Sequence, residues 1–168
     1  MSDYLILLLF PALMAYAASS DLVSMTIPNR LSFLLVTGFF LVALALGLPL
    51  SSLGMHVAAG SLVLAITFGL FAAGWIGGGD AKLAAGTALW LGWDKLLDYG
   101  LAASVFGGVL TLLILQFRAV PLPRFAVGLP WLLILHHPKT GIPYGIALAA
   151  AGLAVYPRSP LWMLVSGH

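Results

Sequence analysis

Residues 56–76 read HVAAGSLVLAITFGLFAAGWI, a run without a charged side chain, and residues 77–80 close it with GGGD. At 1.5 Å per residue a helix over that run covers ~30 Å, the hydrocarbon thickness of a bilayer, and in lipid a helix satisfies its own backbone polar groups. The run therefore reads as a membrane-spanning helix with an acid just past its end. Working outward, further apolar stretches broken by Pro, Gly or charge fall at residues 4–19, 31–48, 81–93, 101–117 and 142–156. The expected fold is an all-α integral membrane protein, a bundle of about six transmembrane helices forming a single domain over residues 1–168. The stretch 81–93 would reach only ~20 Å, which makes it a short fourth helix.

Composition agrees. Of 168 residues, 62% are hydrophobic and 7% charged, and the mean hydropathy is +1.11. So few charges cannot coat a water-soluble globule, which sets aside cytosolic enzymes and nucleic-acid-binding modules. The absence of cysteine removes disulfides, thiolate metal sites and thiol nucleophiles. Glutamate is absent too, so carboxylate chemistry falls to Asp3, Asp21, Asp80, Asp94 and Asp98.

Orientation follows from the basic residues. The start, Met1-Ser2-Asp3, lacks the positive head of a secretory signal, so the first helix is expected to be retained with its N terminus outside. Alternating crossings then place Arg30, Lys82, Arg118, Arg124 and Lys139 on one side and Lys95 and Arg158 on the other. The richer side is expected to be cytoplasmic. Residues 125–135, interrupted by Pro130, would extend only ~16 Å and are read as an interfacial segment on that side, pinned by Arg118, Arg124 and Lys139.

Under this topology Asp21 and Asp80 are the acids on the cytoplasmic side, separated by two crossings that return the chain to one membrane depth. Taken singly, each could be solvated among headgroups or paired, Asp21 with Arg30 and Asp80 with Lys82. Asp80, however, follows Gly77, Gly78 and Gly79, which let backbone approach closely and could lie extended beside a peptide strand. Two carboxylates a few ångströms apart cannot both ionise. They share one proton, so the ionised member can take a proton from water while the protonated one polarises a scissile carbonyl. That chemistry is aspartic proteolysis, and it requires no metal or cofactor.

These residues resemble a known family. Gly77-Gly78-Gly79-Asp80 fits the GxGD signature of membrane aspartic proteases. Ser20-Asp21-Leu22 through Ile27-Pro28-Asn29 is similar to the first-aspartate region of bacterial type IV prepilin peptidases. Ile142-Pro143-Tyr144-Gly145-Ile146-Ala147 is similar to the segment that opens their last helix. The resemblance implies that Asp21 and Asp80 form a catalytic dyad and that Gly77, Gly78 and Gly79 shape the substrate cleft. It further implies that the substrate is a prepilin with a short basic leader, cut at the cytoplasmic face of the inner membrane just before its hydrophobic helix. Without the N-terminal cysteine-bearing region of the larger members, the chain resembles the short, peptidase-only type associated with tight-adherence (Flp) pili. Pro11-Ala12-Leu13 stands at the wrong end for the presenilin-like branch.

The alternative is a small proton- or cation-coupled transporter using Asp21 and Asp80, with the glycines as a broken-helix site. Other residues call for no chemistry. His56, His136, His137 and His168 are expected at interfaces or in the tail, and HExxH cannot exist without glutamate. Trp75, Trp90 and Trp93 read as interfacial belt residues. Asn29 is expected to cap the second helix. Tyr144 is read as an interfacial tyrosine without a catalytic role.

Overall fold

A computed structural model describes residues 2–122 and 128–167, with side chains from residue 7 onward. The described residues contain helices and no strand. They are α1 (Ser2–Ser24), α2 (Asn29–Ala45), α3 (Leu50–Ala72), α4 (Gly78–Leu91), α5 (Leu96–Ala119), α6 (Pro130–His136), α7 (Tyr144–Val155) and α8 (Pro160–Ser166). The expected all-α membrane bundle is present, but the count of six spans is not confirmed. Three helices are long and apolar enough to cross a membrane, in α1, in α3 and in the Trp93–Ala119 stretch. A fourth is added if α7 and α8, bent by 49° at Ser159, form one broken span.

Among the expected spans α2 has only 17 residues, and α4, packed among the other helices, has only 14. It is short, as its sequence predicts, because it need not meet lipid: Ala81 and all residues from Leu83 to Leu91 are buried. Helices α2, α3 and α7 pack around it, and α1 packs on α7. Small residues at these contacts let backbones approach closely. A Cβ on Gly60 would lie 3.1 Å from Leu89 Cβ, one on Gly86 3.0 Å from Leu35 Cδ1, and one on Gly152 2.9 Å from Thr87 Cγ2. Around Trp90 the core is aromatic, with Phe10 at 5.4 Å and Phe39 at 6.1 Å between ring centroids. The outer faces of α3 and α5 instead carry exposed residues such as Phe68, Leu112 and Leu113, the surface a bilayer would cover.

Burial of α4 overturns two expectations. Trp90 is not a belt residue; it is fully buried and its Nε1–H donates to Leu35 O at 2.8 Å, while Trp75 and Trp93 are exposed. His56 is likewise internal, with Nδ1 2.8 Å from Leu89 O and its ring against Gly92. The indole Nε1 of Trp90 and the Nδ1 of His56 each find a backbone carbonyl, which helps to permit burial. His136 is half-buried with its Nε2 2.9 Å from Val120 O, His137 is exposed, and His168 lies outside the described residues.

Gly92 ends α4 at φ 80° and ψ 173°, a region essentially restricted to glycine, and a Cβ there would lie 2.9 Å from His56 Cε1. Gly92→Ala should therefore destabilise the fold by about 2 kcal/mol. The check is the thermal unfolding midpoint of detergent-solubilised protein, with Gly100→Ala, where an added Cβ meets nothing within 4 Å, as the control.

The expected interfacial segment is described from Gly128 onward; Arg124 and residues 125–127 lie outside the described residues. Its described part forms α6. Arg118 secures this region by donating from Nε to Leu135 O at 2.8 Å and from a terminal nitrogen to Gly141 O at 2.9 Å.

Candidate active site

Asp21 does not stand beyond the first helix, as a helix ending near residue 19 would have it. Helix α1 continues to Ser24, which puts Asp21 in its last turns, buried. The chain then reverses through Met25, at φ 53°, with Met25 N–H donating to Asp21 O at 2.9 Å. Hydroxyls fold this turn back on the helix: Ser20 donates to Thr26 O at 2.9 Å and Ser24 Oγ lies 2.8 Å from Thr26 Oγ1. Pro28, in extended conformation, occupies the N-cap position of α2. Asn29 is not the cap; its Oδ1 accepts from Lys82 Nζ at 2.8 Å and ties the start of α2 to the start of α4.

Asp80 stands in the first turn of α4, ahead of that helix's buried run. Gly77 is extended and occupies the N-cap position, whereas Gly78 and Gly79 already belong to the helix. The glycine run is thus not the extended strand-like segment expected; its lack of side chains serves close approach. A Cβ on Gly79 would lie 3.1 Å from Ile27 Cβ, and one on Gly78 3.3 Å from the Phe71 ring.

These elements enclose a polar cavity of about 280 Å³ lined by Asp21, Met25, Thr26, Ile27, Gly77, Gly78, Gly79 and Asp80. The two acids, remote in sequence, meet there. Among the described residues neither has a cationic partner at ion-pair distance, so pairing with Arg30 or Lys82 does not account for them; the ion pair that forms is Lys95–Asp98, at 3.7 Å. Burial, and then the neighbouring Asp21 charge, push the Asp80 carboxyl up to about 6, against the opposing effect of the Gly77 backbone N–H.

The residue that the sequence reading left out of the site is Gly145. At the start of α7, its N–H donates to Asp21 Oδ2 at 2.7 Å. A Cβ there would stand 2.7 Å from both Asp21 Oδ2 and Ile27 Cδ1. An amide of a helix's first turn is a natural partner for a carboxylate, since it has no acceptor within its helix and sits at the positive end of the dipole. The signal was present in Pro143-Tyr144-Gly145, but a glycine there is equally an ordinary helix start. Tyr144 makes no hydrogen bond to either acid; its hydroxyl lies 3.0 Å from Thr111 Oγ1 and holds α7 to α5. No group of three or more His, Cys, Asp or Glu able to hold a metal occurs among the described residues.

Fold and site together define a multi-pass helical membrane protein with two carboxylates converging in one polar cavity. Residues 8–112 match the type IV leader peptidase family, a span that includes both acids, and the chain belongs to that family. It is accordingly a protease, a leader peptidase of prepilins, rather than a transporter. No curated protein and no solved structure is matched by the chain.

Proposed function

We propose that the protein, as one domain over residues 1–168, is an aspartic endopeptidase of the GxGD type that removes the leader from Flp-type prepilins at the cytoplasmic face of the inner membrane. The observation that carries this reading is the convergence of Asp21 and Asp80 on one cavity beside the glycine run. Their environments support different roles. The Gly145 N–H, donating to Asp21 Oδ2 at 2.7 Å, fixes that carboxylate in the position of the base, whereas Asp80 holds its proton into the weakly acidic range.

In the mechanism that follows, ionised Asp21 takes a proton from water as the water oxygen bonds to the scissile carbonyl carbon, and Asp80 gives its proton to the carbonyl oxygen. As the resulting gem-diol collapses, one of its hydroxyls returns a proton to Asp80, the C–N bond breaks, and Asp21 delivers its proton to the departing amine. The pair ends with the one proton it began with. Gly77, Gly78 and Gly79 line the cavity in which the peptide backbone would lie beside Asp80.

Co-expression with candidate small pilins, scored by the mobility shift of leader loss, tests substrate class. Cleavage of a Flp-type precursor is expected, and failure to cut any such precursor would overturn that assignment. A pH profile tests the dyad. Because Asp80 must be protonated in the free enzyme, kcat/KM should fall as pH rises through about 6, approaching tenfold per unit above it. A profile flat from pH 5 to 8 would contradict the proton assignment.

A further inference from the structure

Asp80 lines a second cavity, of about 440 Å³, on its other side. It is the one residue common to this cavity and the polar one. The second cavity is apolar and is bounded by Val63, Ile66 and Leu70 of α3, by Gly100 and Ala103 of α5, and by Ala147 of α7. It exists because α3 packs on α4 and α5 on α7, leaving α3 and α5 apart. Resting on the dyad reading above, we propose that this groove docks the apolar helix that follows the scissile bond, while the polar leader occupies the Asp21 cavity, so that the bond to be cut lies across Asp80.

Three features favour a peptide helix as occupant. Gly100, Ala103 and Ser104 fall at i, i+3 and i+4, the spacing that presents a small-residue stripe to another helix. Gly100 is not needed for packing within the chain, since a Cβ there meets nothing within 4 Å, whereas one on Gly107 would lie 3.2 Å from the Tyr144 ring. The groove also runs into a carboxylate. A lipid chain gains nothing from Asp80, and an anionic headgroup is repelled by it in its ionised form. A peptide unwinding at the end of its helix instead presents backbone groups that require polar partners at that depth.

The chain has no cysteine, so crosslinking can be read without background. In proteoliposomes, Ser104→Cys in an Asp21→Asn background should form a disulfide with a precursor carrying one cysteine in the first turns of its apolar helix. Leu112→Cys, exposed on α5 away from the cavity, should not. In the active enzyme, Gly100→Leu with Ser104→Leu fills the groove. The ratio of kcat/KM for a precursor with its full apolar helix to that for one truncated after the scissile bond should fall at least tenfold. An unchanged ratio, or equal crosslinking at both positions, would overturn the groove assignment. Failure of the dyad reading is distinguishable: Asp80→Asn would then still cleave, whatever the crosslinks show.

Discussion

Asp80→Asn, and separately Asp21→Asn, should lower leader cleavage by purified protein at least ~10³-fold in kcat, within the range that positioned acid and base catalysis contributes. The substitution keeps shape and hydrogen-bonding capacity while removing the shared proton, so folding should persist. An Asn at position 21 can still present its amide oxygen to the Gly145 N–H. The two losses should not add: the double variant should be about as inactive as either single one, because the carboxylates act as one proton-sharing unit. Single-turnover assays on reconstituted protein read this directly. Retention of more than a tenth of wild-type activity by either variant would remove that residue from the mechanism.

Gly145→Ala should have the second-largest effect, although it adds one methyl group outside the dyad. The new Cβ would lie 2.7 Å from Asp21 Oδ2 and 2.7 Å from Ile27 Cδ1. Ile27 can turn its terminal carbon away, but Asp21 Oδ2 is also the atom held by the Gly145 N–H. The carboxylate must therefore rotate off its donor, or the start of α7 must move out. Either shift displaces a reacting group by something approaching an ångström, which can reduce kcat about 10²-fold. Loss of a charge-assisted hydrogen bond should lower stability by about 2 kcal/mol as well. Activity and thermal midpoint measured on one preparation check both; a fall in stability with kcat intact would show that Gly145 supports the fold without positioning Asp21.

Much of this architecture was legible because the bilayer imposes strong rules. Long uncharged runs such as residues 56–76 have few folds open to them, and so few acids in the chain makes each conspicuous. Counting crossings gave a reason to expect Asp21 and Asp80 as neighbours, and both line one cavity. The reading faltered where an environment is made by neighbours. Trp90 and His56 fall near helix ends and by sequence read as interfacial, but α4 is walled in by α2, α3 and α7, so those positions lie in the core. A hydropathy profile cannot separate a helix against lipid from one against other helices, since both surroundings are apolar. Gly78 and Gly79 likewise read as extended backbone, whereas Asp80, at the third helical position, reaches back toward the Gly77 N–H and allows the helix to begin among them.

By itself the sequence determined that this is a helical membrane protein with few acids, one of them closing a glycine run, because lipid permits few backbone forms and the composition offers few ionisable groups. Only the tertiary structure decided that the acids line a common cavity, that the Gly145 amide holds Asp21, and that Asp80 also faces an apolar groove. Those facts depend on the lateral arrangement of α1, α4 and α7, and hydrophobicity along a chain specifies depth without specifying neighbours.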